Sequence, residues 1–120
     1  MKRLNKKIAL ITGAAQGLGA VYARAMAAQG ARVVLSDILD CQPVVKSIIE
    51  NGGTAISQVC DVTDNMALNN LVEKSESEYG PIEILVNNAA LFVELRRKGF
   101  EKISEDEWDK VMLVNVRGTF

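Results

Sequence analysis

The chain has 120 residues, 48% apolar and 24% charged, a balance that supplies a core for one domain and excludes both a disordered polymer and a two-domain arrangement. Fourteen Lys and Arg against fifteen Asp and Glu leave a net charge of −1, so neither nucleic acid nor a membrane surface is expected as the main partner. With no His, and with Cys41 and Cys60 nineteen positions apart, a Cys/His metal site is excluded; no apolar run approaches a membrane span, the basic start is followed by only a short apolar stretch, and a cytoplasmic protein is expected.

Ile8-Ala9-Leu10-Ile11 has the look of a parallel strand buried on both faces. It runs into Thr12-Gly13-Ala14-Ala15-Gln16-Gly17-Leu18-Gly19. Three glycines between a strand and a helix let backbone amides approach an anion, and the first helical turn adds unpaired N–H groups at a positive dipole end. No Gly-Lys-Ser/Thr follows, so a dinucleotide pyrophosphate fits this cradle better than a P-loop nucleotide. Beyond it, Leu18, Val21, Tyr22, Ala25 and Met26 predict the inward stripe of an amphipathic helix that ends near Gln29-Gly30. Arg32 to Asp37 then reads as a second buried strand, completing a βαβ unit. Asp37 follows Gly19 by eighteen positions, near the spacing of about twenty at which an acidic residue meets the adenosine ribose. The alternative is a solvated or helix-capping Asp. As a ribose ligand its charge would repel a 2′-phosphate, which favours NAD over NADP, and neither Ile38 nor Gln16 supplies a compensating cation.

Pro43 suits a first helical turn, and Val44, Val45, Ile48 and Ile49 form a stripe that ends at Asn51-Gly52-Gly53. Thr54 to Cys60 is a more polar strand, as an edge strand can be, with Asp61 and Val62 at its carboxyl end. Thr63 is a candidate cap for the next helix, with Leu68, Leu71, Val72 and Tyr79 inward, Glu73, Glu76 and Glu78 in water, and Gly80-Pro81 as the stop. A fourth strand, Ile82 to Val86, leads directly into Asn87-Asn88-Ala89-Ala90.

In an open α/β sheet ligands lie beyond the carboxyl ends of the strands where strand order reverses, here between the first and fourth strands. Asn88, Ala89 and Ala90 are therefore expected to face the glycine turn. A structural Asn tying two strand ends together is the competing reading, and it suits Asn87 best. Leu91 to Ile103 is irregular, and its Arg96-Arg97-Lys98 cluster reads as a solvated loop in preference to an anionic-substrate contact. Ser104 with Glu107 predicts a capping box. The following stripe is Trp108, Val111, Met112, Asn115, Val116 and Phe120. A carboxamide on that stripe is either a helix-distorting structural residue or part of a site.

Together, Thr12-Gly13-x3-Gly17-x-Gly19, Asp37, Asp61-Val62, Asn87-Asn88-Ala89-Ala90 and Asn115 resemble the N-terminal half of a short-chain dehydrogenase/reductase. The resemblance covers nearly the whole chain; Ala90 departs from it, standing where the family commonly has Gly. It implies a Rossmann-type doubly wound parallel sheet, incomplete, with about four strands in order 3-2-1-4 and flanking helices. It further implies that the backbone of Gly13, Gln16, Gly17, Leu18 and Gly19 holds the pyrophosphate side of NAD, and that Asp37 binds the adenine ribose. Asp61 and Val62 would flank the adenine, and Asn88, Ala89 and Ala90 would line the adenosine half.

Asn115 resembles the family's catalytic-helix Asn, which holds a water in the proton relay through a main-chain kink. The implied chemistry is hydride transfer between a nicotinamide and a carbonyl or alcohol substrate, with a Tyr as acid/base, a Lys four residues later and a Ser. Tyr22 is followed four later by Met26, and Tyr79 by Glu83, so neither is that Tyr. Residues 1–120 are thus expected to be a single cofactor-binding domain that stops before the catalytic Tyr/Lys half, inactive alone and a homo-oligomer when intact. The competing class is a non-catalytic dinucleotide-binding module, a redox sensor or scaffold. A methyltransferase would leave Asn87 to Ala90 and Asn115 unexplained.

Overall fold

A computed structural model describes residues 1–92 and 95–120. Four parallel strands, β1 (Ile8–Thr12), β2 (Arg32–Asp37), β3 (Thr54–Val59) and β4 (Ile84–Val86), form one sheet in the order β3-β2-β1-β4. The expected order and the edge position of β3 are both present. Helices α1 (Gly17–Ala28), α2 (Gln42–Glu50) and α3 (Asn65–Tyr79) connect the strands, and α4 (Glu105–Met112) follows a single 3-10 turn, Phe100–Lys102.

The continuous apolar runs of β1 and β2 follow from burial on both faces. Ala9, Ile11, Val33 and Leu35 pack under α1 and α2, while Leu10 and Val34 pack under α3 with Leu71 and Cys60. Ile56, Val34, Leu10 and Leu85 stand in register across the sheet. The first three are covered by the α3 layer, whereas Leu85, on the β4 edge, is 55% exposed. Lys7 pairs with Glu83 at 2.6 Å, and the Ile8 N–H donates to Glu83 Oε2 at 3.2 Å. These contacts pin the starts of β1 and β4 together and hold the Glu83 carboxyl below its usual range.

Helix α1 corrects the sequence expectation. Its buried face is Gly19, Ala20, Ala23 and Ala27, and Leu18, Val21 and Tyr22 point outward. The small-residue stripe is as periodic as the bulky one, and close approach decides between them: a Cβ on Gly19 would lie 2.1 Å from the Gly13 carbonyl oxygen. Ile49 and Val72 are likewise exposed, and Asp64, not Thr63, caps α3 by accepting the N–H groups of Met66 and Ala67. Gly30 ends α1 at φ 92° as expected. Ser104 accepts the Glu107 N–H and caps α4, but the Trp108 stripe is not buried; α4 and the π-helical turn Leu113–Gly118 bury no residue.

Candidate functional site

The carboxyl ends of β1 and β4 meet at the Thr12 hydroxyl. It donates to the Val86 carbonyl at 3.4 Å and accepts the N–H groups of Asn88 at 3.1 Å and Ala89 at 3.0 Å. The Asn88 amide reaches back across the same gap, donating to the carbonyls of Thr12 at 3.1 Å and Gly13 at 3.0 Å. Asn88 is therefore the residue that ties the strand ends. Asn87, which that competing reading suited best while leaving Asn88 open, is exposed. Thr12 was visible in the motif only as its first letter, since nothing in a linear pattern shows that one hydroxyl ties the end of β1 to three groups at the end of β4.

This lattice presses the chain close enough to require glycine. A Cβ on Gly13, at φ 64°, would stand 2.8 Å from Ala89 Cα and 2.9 Å from Asn88 Nδ2. Gly17 has the opposite surroundings: at φ 55° it has no atom within 4 Å of where its Cβ would be. It opens α1, whose N-cap residue Gln16 makes no side-chain capping bond. Gln16 and Leu18 are exposed beside it. The turn is thus packed on its Gly13 and Gly19 side and open at Gly17, where first-turn N–H groups face outward at the positive end of a twelve-residue helix. That open side can take a diphosphate.

Asp37 stands at the end of β2 beside this turn. Its Oδ2 accepts the Ala15 N–H at 3.0 Å and its Oδ1 accepts the Leu39 N–H at 3.1 Å. The carboxylate is oriented by backbone amides, and each oxygen keeps capacity for a further donor. The Cys60 N–H donates to the Asp37 carbonyl at 2.9 Å, which hangs the loop carrying Asp61 and Val62 on the same strand end. Asp61 closes that loop by accepting from Thr63 N at 2.9 Å and Thr63 Oγ1 at 2.7 Å.

Asn115 lies in the π-helical turn and clamps one residue of the segment after β4. Leu91 N–H donates to its Oδ1 at 2.7 Å, and its Nδ2 donates to the Leu91 carbonyl at 3.1 Å. The carboxamide that the sequence left as structural or functional thus has two backbone partners and sits in a distorted turn. Ala90 is exposed and Ala89 half-buried, so the segment from Asn88 to Leu91 runs past the turn between two fixed points. Within the Leu91 to Ile103 stretch, Val93 and Glu94 lie outside the described residues; Arg96 and Arg97 are exposed, and Lys98 pairs with Glu107.

Other groups are excluded by their surroundings. Burial, with Asp37 and Asp40 adding to it, pushes the Cys41 thiol up to about 12, and burial raises Cys60 as well. Such thiols stay protonated and are poor nucleophiles. Among the described residues no group of three or more His, Cys, Asp or Glu could hold a metal ion. A cleft of about 430 Å³ lined by Lys2, Arg24, Ser47 and Asn51 lies at the far ends of α1 and α2, away from the glycine turn.

Comparison with known proteins agrees with this geometry. A family described as short chain dehydrogenase matches residues 7–120. Galactitol 2-dehydrogenase of Agrobacterium fabrum is 41% identical over 116 residues, covering 97% of this chain and 44% of that protein. Sorbitol dehydrogenase of Cereibacter sphaeroides is 38% identical over 117 residues, covering 98% of this chain and 44% of that protein. A crystal structure of a short-chain type dehydrogenase/reductase from Mycobacterium marinum superposes with a TM-score of 0.91 at 32% identity, covering 98% of this chain and 47% of that one. The chain spans about half the length of the relatives it matches.

Proposed function

The chain belongs to the short-chain dehydrogenase family, which binds nicotinamide cofactors, and from that premise we propose that it is the cofactor-binding half of an NAD(H)-dependent oxidoreductase. The single observation that carries the choice of NAD is the Asp37 carboxylate, fixed by the Ala15 and Leu39 amides at the rim of the glycine turn. A negative charge held there suits ribose hydroxyls and opposes a 2′-phosphate. The backbone of Gly13, Gln16, Gly17, Leu18 and Gly19 would hold the diphosphate. Asp61 and Val62 would flank the adenine, and Asn88, Ala89 and Ala90 would line the adenosine half.

When bound, NAD(H) supplies the hydride that passes to or from a carbonyl or alcohol carbon. The residues of this chain orient that cofactor and exclude a phosphorylated one. Asn115 ties its side chain to Leu91 by one accepted and one donated bond, and the role proposed for its main-chain carbonyl is to hold a proton-relay water. The Thr119 hydroxyl donates to that carbonyl at 3.3 Å, leaving one lone pair for the water. The substrate is proposed to be a secondary alcohol or its ketone, beginning with polyols, because two relatives are named for galactitol and sorbitol. We also read the intact protein as a cytoplasmic homo-oligomer. Exposed Trp108, Met112 and Val116 support association through α4, and no helix among the described residues is long and apolar enough to cross a membrane.

The test is a turnover assay on the full-length protein with NAD and a panel of polyols and secondary alcohols, followed by the absorbance of reduced nicotinamide. Alcohol-dependent reduction of NAD is expected, and the 120-residue chain alone should give none. Tight NAD binding with no hydride transfer to or from any alcohol or carbonyl would contradict the reading.

A further inference from the structure

Among the described residues, the π-helical turn after α4 meets the loops that follow β4 and β3. One contact is the Asn115 clamp on Leu91. The other is Gly118, the last residue of the turn, which lies against Val62: a Cβ on Gly118 would come within 2.7 Å of Val62 Cγ2 and 3.4 Å of Val62 Cβ. Gly118 is absent from the glycines with positive φ. Backbone conformation therefore does not call for glycine at this position; space does.

Val62 is β-branched and stiff at χ1, and the backbone that carries it is held as well. It sits in the loop closed by Asp61, whose side chain takes both the N–H and the hydroxyl of Thr63, and whose carbonyl accepts the Asp64 N–H at 3.0 Å. The loop is anchored at its other end by Cys60 N–H on the Asp37 carbonyl. Val62 and Asp37 are thus carried by one short hydrogen-bonded unit. On the opposite side, any atom added at residue 118 pushes on the turn that holds Asn115 three residues earlier.

We propose that Gly118 is a positioning residue: its bare Cα is the seat on which Val62 rests, and this contact sets the adenine side of the nucleotide site and the placement of the Asn115 turn together. The inference rests on the reading of Val62 as an adenine neighbour. It makes Gly118 matter for binding of the nucleotide end that lies farthest from the reacting carbon.

The test uses the full-length protein and titrates 5′-AMP, which carries the adenosine half alone, and NADH into four forms: wild type, Gly118→Ala, Val62→Ala and the double variant. Overpacking against a fixed loop should weaken AMP and NADH in Gly118→Ala by the same factor, about tenfold. In the double variant the Val62 γ-carbons are gone, the added methyl fits, and affinity should return to within about twofold of Val62→Ala. If Gly118→Ala does not fold, the double variant still decides: it should fold and bind as Val62→Ala does. Wild-type affinity in Gly118→Ala, or a loss that Val62→Ala does not relieve, overturns the proposal. A wild-type protein that binds NADH but not AMP overturns it too, whereas one that binds neither overturns the NAD reading itself.

Discussion

The glycine turn and the Asn115 turn lie at the same end of the sheet but are built by different means. Residues around the glycine turn are fixed from beneath: β1 and β2 are buried on both faces, the Thr12 hydroxyl ties β1 to the end of β4, and Asn88 binds two carbonyls. Residues around Asn115 have no buried neighbour on their own helix and are held at two points, Leu91 and Val62. The glycine turn is therefore organised by packing within this chain, while the Asn115 turn is only located by it. A site can be split in this way because backbone amides and carbonyls need a rigid strand end, whereas a helix with an uncovered apolar stripe needs further packing before it is rigid.

Disturbing the packed side of the glycine turn should have the largest effect. Gly19→Ala would drive a methyl into the Gly13 carbonyl and the Asn88 amide, 2.1 and 2.6 Å away, and should destabilise the protein by about 3 kcal/mol, read from thermal unfolding. Gly17→Ala is its contrast. With nothing within 4 Å, it should cost only about 1 kcal/mol of backbone strain while blocking diphosphate binding, so stability and affinity would separate.

Asn88→Ala comes next. It strips the Thr12 and Gly13 carbonyls of their side-chain donor, and a loss of about 2 kcal/mol in chemical denaturation is expected. Asn115→Ala should cost less, about 1 kcal/mol, because its turn is exposed. Its signature is local: hydrogen exchange should quicken at Leu91 and across Leu113–Gly118 while β1 and β2 keep their protection. Equal quickening throughout would mean that the two regions are one unit.

The smallest effect is on pH dependence. Cys41 titrates near 9 when unfolded and near 12 when folded, so the folded state holds its proton longer. Its contribution is fully present below pH 9 and is lost as pH rises from 9 toward 12. Stability measured across that range should fall less in Cys41→Ala than in wild type, and native Cys41 should resist alkylation near pH 8.

Much of this was legible in the residues themselves. Period, glycine spacing and turn chemistry give the strands and the glycine turn, because each depends on local backbone demands, while the strand order came from the resemblance to the family. The failures share one cause. The facing of α1 depends on how near Gly19 comes to Gly13, the choice of Asn88 over Asn87 as the tie depends on which amide reaches β1, and the role of Gly118 depends on Val62 forty residues and more away. Close contacts between distant segments leave no trace in periodicity, and a hydrophobic stripe such as Trp108, Met112 and Val116 does not say whether anything covers it.

Asp37, held at the rim of the glycine turn by the Ala15 and Leu39 amides, is proposed to select NAD. The most direct test is calorimetric titration of NAD and NADP into the full-length protein and its Asp37→Ala variant. Wild type should prefer NAD by about tenfold or more, and Asp37→Ala should weaken NAD and narrow the gap. Equal affinity of wild type for the two cofactors, or an unchanged preference in the variant, would contradict it.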